Sequence, residues 1–229
     1  LKSYIDTGPV LERAFASQAG LGAVGKNNSL IIPGKGSYFF LAEILTNLPL
    51  PPDQPFTRDL CKNCQRCIEA CPTACIQPDH TIDASRCISY LTIEIKNTIP
   101  DNLKGKIGDW LFGCDVCQMV CPHNTRPSKE TPSVGTPVLP EFLELTQLFS
   151  LSESSFKEKF NETPLTRPKR TGLLRNAAIV LGNQKDDHAL PILKNVLINE
   201  TNPVILDACG WAVNQIKQNN FANQNLRND

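Results

Sequence analysis

Nine of the ten cysteines fall between Cys61 and Cys121, and their spacing constrains this chain more than any other feature. Cys61, Cys64, Cys67 and Cys71 follow C-x2-C-x2-C-x3-C, with Pro72 directly after the last. Cysteines three apart on a tight loop converge on one point, which suits a metal cluster and suits disulfide geometry poorly. Pro72 turns the chain away and leaves backbone N–H groups to face cluster sulfur. The run has the form of the bacterial ferredoxin signature, with a zinc site as the alternative occupant. A broken second copy follows: Cys114, Cys117 and Cys121 read C-x2-C-x3-C, again closed by a proline, Pro122. Its first cysteine is missing at short range, and Cys87 is the sensible candidate, which makes residues 88–113 an insertion. In two-cluster ferredoxins the fourth cysteine of each run ligates the other cluster. On that pattern one [4Fe–4S] cluster takes Cys61, Cys64, Cys67 and Cys121, and a second takes Cys71, Cys87, Cys114 and Cys117. Cys75 and Cys209 are left over. Cys75 reads as a small buried residue near the cluster, and Cys209, inside a helical apolar pattern, as core.

The 229 residues carry 23 Lys plus Arg and 23 Asp plus Glu, so the formal net charge is zero. That excludes a globally basic nucleic-acid coat protein and an acidic disordered tail. A hydrophobic content of 41 % supplies a core. No apolar run approaches the roughly 18 residues of a membrane-spanning helix, so no membrane association is expected. The chain opens at Leu1 with no signal-peptide pattern, which reads as a fragment lacking its N-terminal part. Two clusters alone move single electrons. The long segments flanking the cysteine module imply that the electrons go to a site within the same polypeptide.

Ahead of the module, Ser3–Asp6 reads as extended chain and Thr7-Gly8-Pro9 as a turn. A helix then follows, with Pro9 in its first turn and Val10, Leu11, Ala14 and Phe15 on an apolar face. Gly20-Leu21-Gly22 ends it. Gly25-Lys26-Asn27-Asn28-Ser29 is a polar turn, Leu30-Ile31-Ile32 a short buried strand, Pro33–Gly36 another turn and Ser37–Thr46 an apolar segment.

These stretches carry a family resemblance. Tyr4-Ile5-Asp6-Thr7-Gly8-Pro9-Val10-Leu11-Glu12-Arg13 resembles the active-site stretch of the epoxyqueuosine reductase family. Ala19-Gly20-Leu21-Gly22 with Gly25-Lys26-Asn27, and Phe39-Phe40-Leu41-Ala42-Glu43, are similar to it as well. So are Arg86-Cys87-Ile88-Ser89-Tyr90-Leu91-Thr92-Ile93-Glu94 and Gly113-Cys114-Asp115-Val116-Cys117-Gln118. The similarity covers nearly all of residues 1–125, including the insertion after Cys87, and extends more loosely to the C-terminus.

The resemblance implies reduction of the epoxide of epoxyqueuosine at the tRNA wobble position, with cobalamin reduced through two [4Fe–4S] clusters. It places the proton donor on Asp6, a role that fits an alkoxide leaving group in need of a positioned acid. It places Asp6, Ser29, the Leu30 backbone, Ala42, Ser89, Cys114 and Asp115 in stretches that line the cobalamin. Arg13 and Lys26 become partners for nucleotide phosphate or corrin amides, with a solvated cation as the equal alternative. The implied partners are tRNA and a low-potential electron donor of flavodoxin or ferredoxin type, around a cytoplasmic monomer. His80, His123 and His188 show no ligand spacing with one another, so no histidine axial ligand is expected.

Beyond the module, Pro127, Pro132, Pro137 and Pro140 make a loop, followed by helical sequence. From Thr171 a repeat begins: Leu174-Arg175-Asn176-Ala177-Ala178 recurs as Ile205-Leu206-Asp207-Ala208-Cys209, with Leu190-Pro191-Ile192-Leu193 in an intervening helix. A period near 30 resembles HEAT-type helical repeats. Lys157, Lys159, Arg167, Lys169, Arg170 and Arg175 face only Glu158 and Glu162 over the same region. Such a patch suits phosphate contacts. Together with Lys96, Arg167, Lys169, Arg170 and Arg175 are the tRNA-facing candidates of this half of the chain.

The expected fold is therefore α+β. Residues 1–56 form the end of a cobalamin-binding reductase domain, 57–125 a two-[4Fe–4S] ferredoxin-like domain, 126–170 a linker with helices and 171–229 HEAT-like repeats. Two rival functions stay open: a corrinoid reductase of a small molecule, and a non-catalytic ferredoxin-type electron carrier.

Overall fold

A computed structural model describes residues 8–125 and 143–225. The expected strand at Ser3–Asp6, the residue Asp6 and most of the proline loop lie outside them. In chain order the elements are α1 (Glu12–Gln18), β1 (Ala23–Val24), β2 (Leu30–Ile31), α2 (Arg66–Ala70), α3 (Ile88–Ile93), α4 (Asp101–Ile107) and α5 (Val116–Met119). They continue with α6 (Glu153–Phe160), α7 (Lys169–Gln184), α8 (Leu190–Asn199) and α9 (Pro203–Asn225). The described residues are mostly helical, and the β part of the α+β expectation amounts to one two-stranded pair. Among them no helix is long and apolar enough to cross a membrane. They form two compact units, residues 8–83 with 115–125 and residues 84–114 with 143–225.

In the first unit α1 starts at Glu12 and not at Pro9, because Leu11 has non-helical dihedrals (φ −102°, ψ 68°) and no side chain caps the end. Its expected apolar face is not the buried one: Leu11 and Phe15 are exposed and only Ala16 is buried. β1 and β2 pair antiparallel, Ala23 opposite Ile31 and Val24 opposite Leu30. The intervening turn is closed by Gly25 N–H donating to the Ser29 carbonyl at 2.9 Å, with Asn28 in the left-handed region, a conformation Asn tolerates. Leu30 and Ile31 are buried as expected. Gly22 is required beneath them, since a Cβ there would overlap the Ile31 carbonyl. The segment from Tyr38 to Leu50 has no regular structure, and its Phe40, Ile44 and Leu45 are almost fully exposed.

The second unit holds the main core. Ile88, Leu91, Ile99, Leu103 and Ile107 pack with Phe156, Phe160, Leu173, Ala177, Ala178, Leu193, Ile205, Ala208 and Ile216. Burying each large side chain fully contributes about 1.5–3 kcal/mol. α6 is capped by Ser152, whose Oγ accepts from Ser155 N–H. α4 stops at Gly108, which has φ 59°. The two copies of the sequence repeat lie on α7 and α9, which pack against each other, with α8 between them in the chain. Lys104 is buried in this unit. Its ammonium meets Asp101 and Asp207 at 2.7 Å each.

Candidate metal centre

The two cysteine runs fold alike. In the first, Asp59 takes the N–H groups of Cys61 (2.8 Å) and Lys62 (3.1 Å), and Cys64 N–H bonds the Cys61 carbonyl at 2.8 Å. α2 then carries Cys67, and Cys71 follows in extended conformation before Pro72. In the second, Asp115 precedes α5, which carries Cys117, and Cys121 is again extended before Pro122. In each run a short helix presents one cysteine, and the proline forces the chain out of helix so that the last cysteine turns back. α2 and α5 pack together.

Cys61, Cys64, Cys67 and Cys121 line one pocket with Asn27, Ile31, Leu60, Arg66, Pro122 and His123, a space of about 340 Å³ including its open side. These are the four residues that the crossed ferredoxin pattern assigns to the first cluster. Two of the four thiols are held toward the neutral form. Desolvation, then the neighbouring Cys61 sulfur, pushes the Cys67 thiol up, and burial does the same to Cys121. Bare thiolates are therefore disfavoured there, whereas bound iron neutralises and deprotonates them. Among the described residues no three His, Cys, Asp or Glu side chains sit close enough for a single metal ion.

Cys71 and Cys117 belong to the first unit, Cys87 and Cys114 to the second. The Cys71 sulfur lies 3.5 Å from both Cys75 Sγ and Thr73 Oγ1. The Cys75 hydrogen bond, ahead of the Thr73 ones, draws Cys71 down to about 4. Cys75 is buried as expected, and so is Cys209, whose thiol burial pushes up to about 12.

Several contacts made by the cysteine loops were missed by sequence reasoning. Lys26, expected as a phosphate or corrin partner, is buried instead. Its backbone N–H points at Cys61 Sγ (3.4 Å), and its ammonium donates to the carbonyls of Lys62 (2.8 Å) and Cys64 (3.0 Å). Asn27 Nδ2 reaches the Cys117 carbonyl at 3.4 Å, and His123 Nε2 is 3.1 Å from the Leu60 carbonyl. The Gly25–Ser29 turn therefore clasps both cysteine loops of its unit. A second clasp joins Ser37 to Gln118 and Asn124.

Of the other candidate residues, Arg13 is exposed and donates to the Asn28 carbonyl. Ser29 is half-buried, Leu30 can offer only its backbone, and Ala42 lies on the exposed apolar segment. Asp115 is exposed and accepts from Gln118. Ser89 lies half-buried on α3 in the second unit.

The basic patch needs correction. Arg175 is fully buried, its guanidinium spent on the carbonyls of Leu91, Ile95 and Asn97. Arg170 is tied to the Leu151 carbonyl and to Glu200. Neither faces phosphate. Arg167 and Lys169 stay exposed, Arg167 paired with Glu94 at 2.8 Å. Lys96 is exposed too, its ammonium reaching the Ile93 and Arg167 carbonyls. Desolvation first, then its cationic neighbours, hold its pKa down against Glu94.

A family model described as a 4Fe-4S double cluster binding domain matches residues 60–124. An epoxyqueuosine reductase of Cyclobacterium marinum is 46 % identical over 180 residues, 77 % of this chain and 56 % of that protein. One from Bacillus subtilis is 37 % identical over 230 residues, 97 % of this chain and 58 % of that protein. Among solved structures, epoxyqueuosine reductase from Bacillus subtilis with its catalytic loop swung out of the active site has a TM-score of 0.83 at 37 % identity. It covers 92 % of this chain and 56 % of that one. An epoxyqueuosine reductase with a tRNA-Tyr epoxyqueuosine-modified stem loop has a TM-score of 0.82 at 37 % identity, covering 94 % and 57 %. The chain spans little more than half the length of the curated relatives it matches.

Proposed function

This chain is homologous to epoxyqueuosine reductases along most of its length, and from that premise we propose that it supplies the iron–sulfur part of such a reductase. The substrate in this reading is tRNA carrying epoxyqueuosine at the wobble position. The observation that carries it is the convergence of Cys61, Cys64, Cys67 and Cys121 on one pocket inside a stretch that matches a 4Fe-4S double cluster binding domain.

Two [4Fe–4S] clusters are assigned, one to those four cysteines and the other to Cys71, Cys87, Cys114 and Cys117. Lys26 holds the Lys62–Cys64 loop in place and brings a positive charge to the first cluster. Cobalamin, when bound, supplies the low-valent cobalt that delivers electrons to the epoxide. Ser29, Leu30, Ala42, Ser89, Cys114 and Asp115 are the residues offered to it, with the exposed apolar stretch around Ala42 as the supporting feature. Conversion of an epoxide to an alkene takes two electrons and two protons and releases water. Asp6 gives the proton to the leaving oxygen, where a positioned acid lowers the barrier. Arg13, Lys96, Arg167 and Lys169 are the exposed candidates offered to tRNA phosphates, which position the nucleic acid without reading its sequence. A flavodoxin- or ferredoxin-type donor supplies the electrons, in the cytoplasm, where thiols stay reduced.

The test uses the full-length gene in a bacterial strain that accumulates epoxyqueuosine, with digested tRNA analysed by mass spectrometry. Queuosine appears with the wild type and is lost with Asp6→Asn. Persistent epoxyqueuosine despite soluble, cluster-loaded wild-type protein overturns the assignment.

A further inference from the structure

We propose that Arg175 and Asn176, in the middle of α7, are positioning residues that fix Cys87 and Cys114 relative to one another. The inference rests on the reading of these two cysteines as cluster ligands. All of the groups involved lie in one unit.

Both side chains are fully buried in a helix whose other central residues are apolar. Burying a guanidinium is costly unless its donors are satisfied. Leucine would fill the same space without that cost, so the polar pair needs a reason. The hydrogen bonds supply one. Arg175 Nη2 donates to the Leu91 carbonyl at 2.7 Å, and Nη1 to those of Ile95 and Asn97 at 2.9 and 2.8 Å. These acceptors sit in and beyond the last turn of α3, where helix carbonyls lack partners of their own. Desolvation lowers the Arg175 pKa to about 10, which leaves the fork charged at neutral pH. Arg175 also donates to Asn176 Oδ1 from Nε (3.1 Å) and Nη2 (2.9 Å). That fixes which way the Asn176 amide faces. Its Nδ2 then donates to the Thr92 carbonyl at 2.7 Å and the Leu111 carbonyl at 2.9 Å.

One amide thus joins α3 to the segment that leads into Gly113 and Cys114. A third bond closes the frame. Thr92 Oγ1, fully buried, donates to the Ile88 carbonyl at 2.8 Å and accepts the Gly113 N–H at 3.0 Å. Gly113 has φ 70°, a left-handed turn that sets the direction in which Cys114 leaves. Cys87 stands at the head of α3, and its carbonyl accepts the Leu91 N–H at 2.8 Å. Cys87 and Cys114 are far apart in the chain, yet both are referenced to the same short helix, which α7 holds by its carbonyls. The repeat region is therefore part of the scaffold of a cluster-binding half-site. Ligand-orienting groups of this kind are worth about 10–100-fold in metal retention.

The test is made on the full-length protein, reconstituted anaerobically with iron and sulfide. Asn176→Asp keeps the acceptor for Arg175 and removes both Nδ2 donors. Thr92→Val keeps the shape and removes the Gly113 acceptor. Asn183→Asp is the control on the same helix, since Asn183 bonds the carbonyls of Lys104 and Gly108, away from both cysteines. Iron content, the EPR signals of the reduced clusters and the rate of iron loss to a chelator are read beside thermal unfolding.

The expected result is that Asn176→Asp and Thr92→Val weaken the same EPR signal that Cys87→Ser and Cys114→Ser remove. That cluster is then lost to chelator about 10–100-fold faster, while Asn183→Asp retains both signals. The proposal is overturned if folded Asn176→Asp and Thr92→Val hold both clusters as the wild type does, or if Asn183→Asp loses the same signal. If the cysteine variants keep both clusters, the ligand reading fails and the inference falls with it. Should Asn176→Asp not fold, Thr92→Val decides.

Discussion

Gly182, on α7, meets α9 where a side chain has no room. A Cβ there would stand 2.8 Å from Ala212 Cα, 2.8 Å from Trp211 Cζ3 and 3.0 Å from Ala212 Cβ. Two effects compete in Gly182→Ala. Replacing Gly by Ala in a helix interior gains about 1 kcal/mol. Against that, forcing a methyl into a filled contact costs about 1–3 kcal/mol. Here one of the opposing atoms is backbone, so no rotamer change relieves it and α7 and α9 must separate. That places the cost in the upper part of the range, about 2–3 kcal/mol, so the packing term wins, for a net loss of about 1–2 kcal/mol. For a protein of this size that lowers the melting temperature by roughly 2–8 °C. Gly210, on α9, is the built-in comparison, because a Cβ there meets nothing within 4 Å. Gly210→Ala keeps only the helix gain and raises the melting temperature by roughly 2–4 °C. Thermal unfolding by circular dichroism on both variants is the assay. A Gly182→Ala protein as stable as the wild type, or both variants shifting in the same direction, refutes the reasoning.

Lys26→Met removes the clasp on the Lys62 and Cys64 carbonyls together with a buried positive charge. The midpoint potential of the first cluster falls and its iron is lost faster to chelator, because nearby charge and solvent access set cluster potentials. An unchanged redox titration contradicts this. Cys209 has a thiol held up to about 12 by burial. Iodoacetamide at pH 8 therefore labels it only once the protein is unfolded, and peptide mass spectrometry of native protein shows it unmodified. Glu200 titrates below the ordinary glutamate value: burial opposes ionisation, but the N–H groups of Asn202 and Thr201 and then Arg170 outweigh it. Its contribution to stability is thus present above that value and lost as pH falls through the lower folded one. Glu200→Gln flattens the acid limb of a stability-versus-pH curve and leaves a lower plateau at pH 7.

The convergence of Cys61, Cys64, Cys67 and Cys121 on one pocket was legible in the sequence because cysteine spacing is local. C-x2-C-x2-C-x3-C-P prescribes a loop, a short helix and an exit, and Cys61, Cys64 and Cys67 need nothing further to converge. Cys121 came from the crossed ferredoxin pattern. Basic residues were legible only as charge. Lys26 and Arg175 read like Lys96 and Lys169, yet the first two are buried on backbone carbonyls and the last two are exposed. Lys26 has polar neighbours like those of Lys96, and although Arg175 stands in an apolar helical run, the carbonyls that hold both buried cations come from elements far away in the chain. The apolar stripe of α1 misled for a related reason. Leu11 and Phe15 have helical spacing, but the face turned inward carries Ala16. The repeat at Leu174 and Ile205 did announce helices, and these are α7 and α9, which pack on each other with Gly182 set against Ala212.

The most direct test of the central claim is a single-turnover assay on the full-length protein. Reconstituted with iron and sulfide and supplied with cobalamin, it is incubated under strong reductant with an anticodon stem loop carrying epoxyqueuosine. The nucleosides are then weighed by mass spectrometry. The account predicts queuosine in the complete mixture, and none when cobalamin is omitted or when Cys61→Ser or Asp6→Asn replaces the wild type. No product from cluster-loaded wild-type protein, or product that forms without cobalamin, would contradict it.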